Sequence, residues 1–269
     1  MQEDQIILID KPANISSFGV VAKVRGYLKA KFGHKIKVGH TGTLDPFATG
    51  LLILLTGKNT KKSNEFLKLD KIYEATLKLG FISTTGDPEG EITEVISLKP
   101  GEAFPKEKLS DSPDLKRIQT LLVEDISEPG KARISAKTPV ATGVLDACPK
   151  LIDVEFVLSS FIGIIEQTPP KFSAIKINGQ RAYKLARKNQ DFEIPSRKVE
   201  IYSIDILDYN YPELKIKVHC SSGTYIRTLA EDIGKELKTS AYLTALRRTK
   251  IGDYDIKDAL PLSHFTDKN

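Results

Sequence analysis

A mixed α+β sheet fold is what this sequence predicts, and three observations carry the prediction. Apolar runs with strand character outnumber the long runs with helical spacing. Two of the strand runs, at 72–79 and 214–220, alternate apolar and polar residues, as a sheet with one buried face requires. Composition changes over about 97–150, which sets an inserted segment apart from a single domain spanning 1–269.

From the amino terminus, residues 6–9 read as a buried strand that Lys11-Pro12 ends, because proline cannot continue the ladder. Ser16-Ser17 can cap a helix over 18–32, where Val20, Val21, Val24, Tyr27 and Leu28 fall at helical spacing and Gly33 stops the run. A loop rich in glycine and threonine, VGHTGTLDPFATG, leads into the apolar strand LLILL, so it is anchored by the core while open to a ligand. Tyr73, Ala75, Leu77 and Leu79 share one face of the next strand. The Pro-, Ser-, Lys- and Glu-rich stretch 97–150 reads as a partly flexible insertion. Regular pattern returns at 154–165, a basic stretch with the turn signal Asn178-Gly179 comes next, and a short helix begins at Ala182. Leu214, Ile216, Val218 and Cys220 alternate up to SSG, after which Ile226, Leu229, Ile233 and Leu237 mark a helix. That strand, turn and helix present Tyr225 and Arg227.

Composition narrows the function classes. The longest apolar run is the short 51–55 and the amino terminus lacks the features of a secretory signal, so a cytosolic protein is expected. Two distant cysteines and four scattered histidines indicate neither a disulfide framework nor a metal centre. Residues 1–68 hold eleven Lys/Arg against five Asp/Glu, and 167–200 hold eight against three, whereas 85–130 carries eleven acidic against five basic. A polyanion would prefer the first two regions.

The most informative segment is GHTGTLDP, in which Asp45 follows His40 in a glycine-flanked loop. Taken alone, an aspartate before proline is more often a turn former bonded to nearby amides. A phosphate loop is excluded by spacing, since Gly50 lies too far from Gly57-Lys58 and Asn59 stands where a Ser/Thr is needed. The segments KPANISS, GHTGTLDPFATGLL, DKIYEATLKLG, STTGDPEGEI, TPPKFSAIKINGQRAYKLAR and HCSSGTYIRTLAEDIG, however, closely resemble the successive motifs of the TruB family of tRNA pseudouridine synthases, in the family's order. The likeness covers about 6–96 and 154–260.

The resemblance implies the pseudouridine synthase fold, a mostly antiparallel central sheet flanked by helices. It also implies isomerisation of uridine 55 in the tRNA T loop to pseudouridine by base flipping, with no cofactor, no metal and no obligatory protein partner. Asp45 matches the family's catalytic aspartate, Arg227 the active-site arginine expected to pair with it through a bidentate fork, and Tyr73 the active-site tyrosine. His40, Tyr225 and Leu246 match positions around the flipped nucleotide. Lys11, Lys176, Arg181 and Arg187 are candidates for phosphate contacts.

Two departures stand out: the insertion at about 97–150, and an end at Asn269 that leaves no room for the C-terminal PUA domain of many relatives. Two other classes compete. An RNA-folding module without turnover would not need Asp45 or Arg227. A glycoside hydrolase would need a second carboxylate near Asp45, for which Asp70 and Glu74 are the neighbours in sequence.

Overall fold

The apolar run that follows the Asp45 loop forms a strand buried on both faces, and the rest of the sheet is arranged around it. In the computed structural model, β1 (Ile6–Lys11), α1 (Ser17–Phe32), β2 (Val38–His40) and β3 (Thr49–Thr56) open the chain. The structure describes residues 2–95, 148–173, 175–177, 179–186, 188, 190 and 192–265. Met1–Ile96 and Pro149–Asn269 together form one compact unit. The expected insertion lies outside the described residues except at 148–150.

After β3 come α2 (Ser63–Leu67), β4 (Lys71–Leu79) and the β5 (Phe81–Ser83), β6 (Ile92–Glu94) hairpin. Next are α3 (Leu151–Ser160), β7 (Gly163–Gln167), the small β8 (Lys176–Ile177), β9 (Gln180–Arg181) ribbon and α4 (Ala182–Ala186). The chain then runs through β10 (Arg197–Asn210), β11 (Glu213–Cys220), α5 (Ile226–Glu236), β12 (Ala241–Ile251), β13 (Tyr254–Asp255) and β14 (Leu260–Pro261).

The large sheet has the order β14-β1-β3-β12-β4-β11-β10-β7, with β2 on β3 and β13 on β12. Its described pairings are antiparallel except β1 with β14 and β3 with β12. This is the mixed, mostly antiparallel sheet expected.

Local chemistry accounts for the elements. Ser16 caps α1 by accepting from Gly19 N at 3.0 Å, and Gly33, at φ 77°, closes the helix with its N–H on Lys29 O. The apolar face of α1 (Val20, Val21, Val24, Leu28) packs on Ile7, Ile9, Leu52 and Leu54. On the reverse face, Leu51, Ile53 and Leu55 meet Phe66 and Ile251. Burying each such leucine contributes roughly 1.5–3 kcal/mol. Val154, Val157 and Leu158 of α3 and Leu229 and Ile233 of α5 cover β4, β11 and β12.

Register places the two helical groups on one face of the sheet. Arg248 in β12 stands opposite Gly50 of β3 on one side and Tyr73 of β4 on the other. Gly50 belongs to the α1-facing set and Tyr73 to the α5-facing set, because side chains alternate along each strand. A Cβ on Gly50, which has φ 103°, would lie 2.3 Å from Arg248 O, so only glycine permits this approach. The Asp45 loop lies between the two helical groups.

Candidate active site

The loop 41–48 connects β2 to β3 and is fixed largely by side chains that bond its backbone. Ser17 Oγ donates to Leu44 O at 2.9 Å and accepts from Leu44 N at 2.8 Å, both within the core. Lys11 Nζ donates to the carbonyls of Pro12, Ile15 and Pro46 at 3.0, 2.7 and 3.1 Å. Asn14 N donates to the same Pro46 O at 2.8 Å, and Ala48 N closes a turn onto Asp45 O at 3.2 Å. Arg248, buried in the sheet, donates from Nη2 to Gly42 O and from Nε to Leu51 O. The loop therefore has few backbone freedoms left, and its Asp45 side chain is 34% exposed.

Opposite Asp45, Arg227 enters from the first turn of α5, whose start is held by Gln167. That buried amide accepts from Tyr225 N at 2.7 Å and donates to Tyr225 O at 3.0 Å. The Arg227 side chain is 5% exposed, with Nε 3.2 Å from Asp45 Oδ2. Its remaining donors are engaged elsewhere: Nη1 with Asp87 Oδ2 at 3.1 Å and Thr85 O at 3.0 Å, Nη2 with Phe172 O at 2.8 Å. The expected bidentate fork on Asp45 is thus not what forms. The guanidinium divides its donors between two carboxylates and two carbonyls, which fixes its plane before any substrate arrives.

Asp87 is the residue that sequence reasoning missed. It lies in the STTGDPEGEI segment, which resembles the family's motif but gives no role to its acid. Its side chain is 4% exposed, and Oδ1 accepts from Thr85 Oγ1 at 2.6 Å and from Glu89 N at 3.0 Å. Glu89 follows at the rim, bonded to the Phe47 N–H beside Asp45, and its carboxyl is raised by burial, Asp87 and Asp45. The carboxylates suggested by sequence proximity are elsewhere. Asp70 contacts His219 at 2.5 Å, and Glu74 is exposed on the face of β4 away from Tyr73.

Electrostatics at the site pull in two directions. Burial pushes the Asp45 carboxyl above its ordinary value, Arg227 opposes that, Asp87 adds to it, and Lys11 opposes it again. The cost of burying the charge is thus the largest influence, and the arginine recovers part of it. Burial also raises the phenol of Tyr73, against Arg248, whose guanidinium lies 6.0 Å from the ring centre. Tyr73 is therefore a neutral phenol at physiological pH.

The other expected site residues fall in three groups. His40, half-buried at the end of β2, has its pKa lowered by burial, Arg248 and Arg181, and its buried Nδ1 has no hydrogen-bond partner among the described residues. Arg181 is thereby brought near the same site, Leu246 of β12 shares an apolar cluster with Leu44 and Tyr73, and Tyr225 stands at the start of α5, two residues before Arg227. Lys176 is exposed on β8, and Arg187 lies outside the described residues. Lys11, expected on the RNA-facing surface, is 0% exposed under its three carbonyls. Its amine is lowered to about 8 by burial, with Asp45 opposing. No group of acids, histidines and cysteines among the described residues could hold a metal ion, and no described helix is long and apolar enough to cross a membrane.

Known proteins share this chain's motifs and its fold. The family model described as TruB family pseudouridylate synthase (N terminal domain) matches residues 27–112 and 139–226. The tRNA pseudouridylate synthase B C-terminal domain matches 227–269. The chain is 40% identical over 265 residues to tRNA pseudouridine synthase B of Phocaeicola vulgatus, covering 98% of this chain and 92% of the relative. It is 38% identical to the protein of that name in Flavobacterium johnsoniae, covering 98% and 95%. Among solved structures, a chain in the crystal structure of a Cbf5-Nop10-Gar1 complex superposes with a TM-score of 0.55 at 24% identity, covering 97% of this chain and 53% of that one. That likeness bears on the fold alone.

Proposed function

The chain belongs to the TruB family of pseudouridylate synthases, and from that membership we propose that it converts uridine 55 in the T loop of tRNA to pseudouridine with Asp45 as the nucleophile. The observation that carries the reading is the Asp45–Arg227–Asp87 arrangement, in which a carboxylate projects from a clamped loop and is aimed by a guanidinium fixed on its other sides.

The chemistry is an isomerisation. The bond from N1 to C1′ breaks, the uracil turns, C5 bonds to C1′, the proton on C5 is lost and N1 gains one. Asp45 acts in its charged form, and Arg227 keeps that form available against burial. Tyr73 supplies an aromatic wall for the uracil beside a phenol that can take part in proton movement at C5. His40, Tyr225 and Leu246 complete the pocket for the extruded nucleotide, and Lys176 and Arg181 meet phosphates of the T arm. Lys11 holds the catalytic loop rather than the RNA, given its burial under Pro12, Ile15 and Pro46. The segment 97–150 is proposed as an insertion into a single catalytic domain.

The test is incubation with an unmodified tRNA transcript, mapping of pseudouridine at each position, and the Asp45→Asn variant checked for folding by thermal melting. Turnover is expected at the T-loop uridine and on a T-arm stem-loop. It should vanish in Asp45→Asn while RNA binding stays within a few-fold, since removing one carboxylate also removes a repulsion with phosphate. Near wild-type pseudouridine formation by the folded variant would sink the mechanism, and binding without turnover by the wild type would favour an RNA-folding module. Activity should fall as pH drops through the Asp45 pKa, at a higher pH than an ordinary aspartate would give, because burial raises that value.

A further inference from the structure

The exposed face of α1 carries an aromatic ring and a row of cations that the pocket does not use. Phe18 is 65% exposed although it directly follows Ser17, the residue that clamps the Asp45 loop through Leu44. A single exposed apolar side chain is ordinary. This one has a particular setting. Arg25, two helical turns on and so on the same face, places its guanidinium 5.7 Å from the Phe18 ring centre, within cation–π range. Its Nη2 also donates to Val38 O at 3.3 Å, and Val38 opens the short strand that ends at His40. The patch is therefore tied to elements of the proposed nucleotide pocket at two points, through the neighbouring Ser17 to the Asp45 loop and through the Val38 carbonyl to the strand that ends at His40.

Charge points to the occupant. Within Ser17–Phe32 the charged residues are Lys23, Arg25, Lys29 and Lys31, with no acid among them. Between Phe18 and Arg25 the exposed positions are Ala22 and Lys23, of which Ala22, one turn after Phe18, shares its face, and a Cβ placed on Gly26 would meet nothing within 4 Å, so the helix surface beside the ring is low and open. A flat ring, an adjacent guanidinium and a cationic helix face match the chemistry of an unpaired base with its phosphate.

We propose that Phe18 and Arg25 form a second RNA contact, in which an unpaired base of the substrate other than the flipped uridine stacks on the Phe18 ring while Arg25 meets a phosphate beside it. This rests on the tRNA-modifying function proposed above and extends it to a subsite outside the pocket.

The experiment measures binding of an unmodified tRNA transcript at several salt concentrations for wild type, Phe18→Ala, Phe18→Leu, Phe18→Tyr and Arg25→Gln, with KM and kcat for each. Phe18→Ala and Phe18→Leu should bind about tenfold more weakly, the effect of losing one base stack, with the salt slope unchanged. The loss should sit mainly in KM, and Phe18→Tyr should restore it. Arg25→Gln should flatten the slope of log K against log salt by about 0.7–0.9, the effect of one phosphate contact. Wild-type affinity in Phe18→Ala, or in Phe18→Leu should the alanine variant not fold, would overturn the proposal, as would an unchanged slope in Arg25→Gln. A wild-type protein that makes no pseudouridine would instead sink the proposed function, and the affinity series would still read this patch.

Discussion

The two sides of the site reach the same point by different means. The Asp45 side is held mainly by nearer neighbours in sequence: Lys11 and Ser17 precede the loop by about thirty residues and bond its backbone directly, and Arg248 adds one bond to Gly42 O. The Arg227 side is held from far away, by Asp87, Phe172 and Gln167, the first 140 residues distant. The Asp45 loop is fixed through its neutral backbone groups, by Lys11, Ser17 and Arg248, whereas the arginine is paired with a carboxylate buried at 4% exposure. One side can lose a bond and keep its neighbours. The other loses the counterpart of a buried cation.

That contrast predicts an order of effects. Asp87→Ala should be the most damaging, because it removes the buried carboxylate from Arg227 and leaves it two carbonyls and the partly exposed Asp45, and breaking a buried pair in this way costs about 3–5 kcal/mol. Turnover should drop by two or more orders of magnitude with a lower melting temperature. Asp87→Asn, which keeps an acceptor, should recover part of the stability. An Asp87→Ala enzyme with wild-type kcat would mean that Asp45 and the Thr85 and Phe172 carbonyls orient the arginine without Asp87.

Lys11→Met should be intermediate, removing the Lys11 donor from the carbonyls of Pro12 and Ile15 at about 1–3 kcal/mol each before relaxation, while Pro46 O keeps Asn14 N. It also carries a pH signature. The folded-state pKa of Lys11, about 8, lies below the unfolded value, so wild-type stability gains from this group as pH rises from about 8 towards the free lysine value. The variant should lack that rise. Chemical denaturation of both proteins from pH 7 to 10 would reveal it, and parallel curves would show that burial does not perturb the amine.

Ser17→Ala should be mildest, costing about 1–2 kcal/mol and a few-fold in turnover, because Lys11 and Asn14 still hold Pro46. A loss as large as that of Asp87→Ala would erase the distinction between the two sides.

The same contrast decides what the sequence makes legible. The helix behind Ser16, the all-apolar β3 and the alternating β4 and β11 follow from spacing that can be counted along the chain. Asp45 and Arg227 are legible because their motifs are contiguous. β10 and β12 are not. Bulges between Ile201 and Ser203, Ile206 and Asp208, Leu243 and Ala245, and Arg248 and Lys250 break the period-two pattern in both strands. Arg248 looks like a surface residue until its guanidinium is seen bonded to Leu51 O and Gly42 O. The burial of Lys11 and the pairing of Asp87 with Arg227 depend on contacts that no local pattern encodes.

The central position of β12 has a consequence for how the protein is made. This strand separates β3 from β4 in the sheet, yet it is translated after both of them. Until it arrives, the first eighty residues carry two apolar strands whose inner edges await a partner, and Gly42 and Leu51 lack the guanidinium that joins them. A nascent or truncated chain ending before Ala241 would therefore expose open sheet edges and hold an unsealed Asp45 loop. The Asp45 loop should therefore close only once β12 has been made and has paired with both β3 and β4, the later strand serving as the closing stitch.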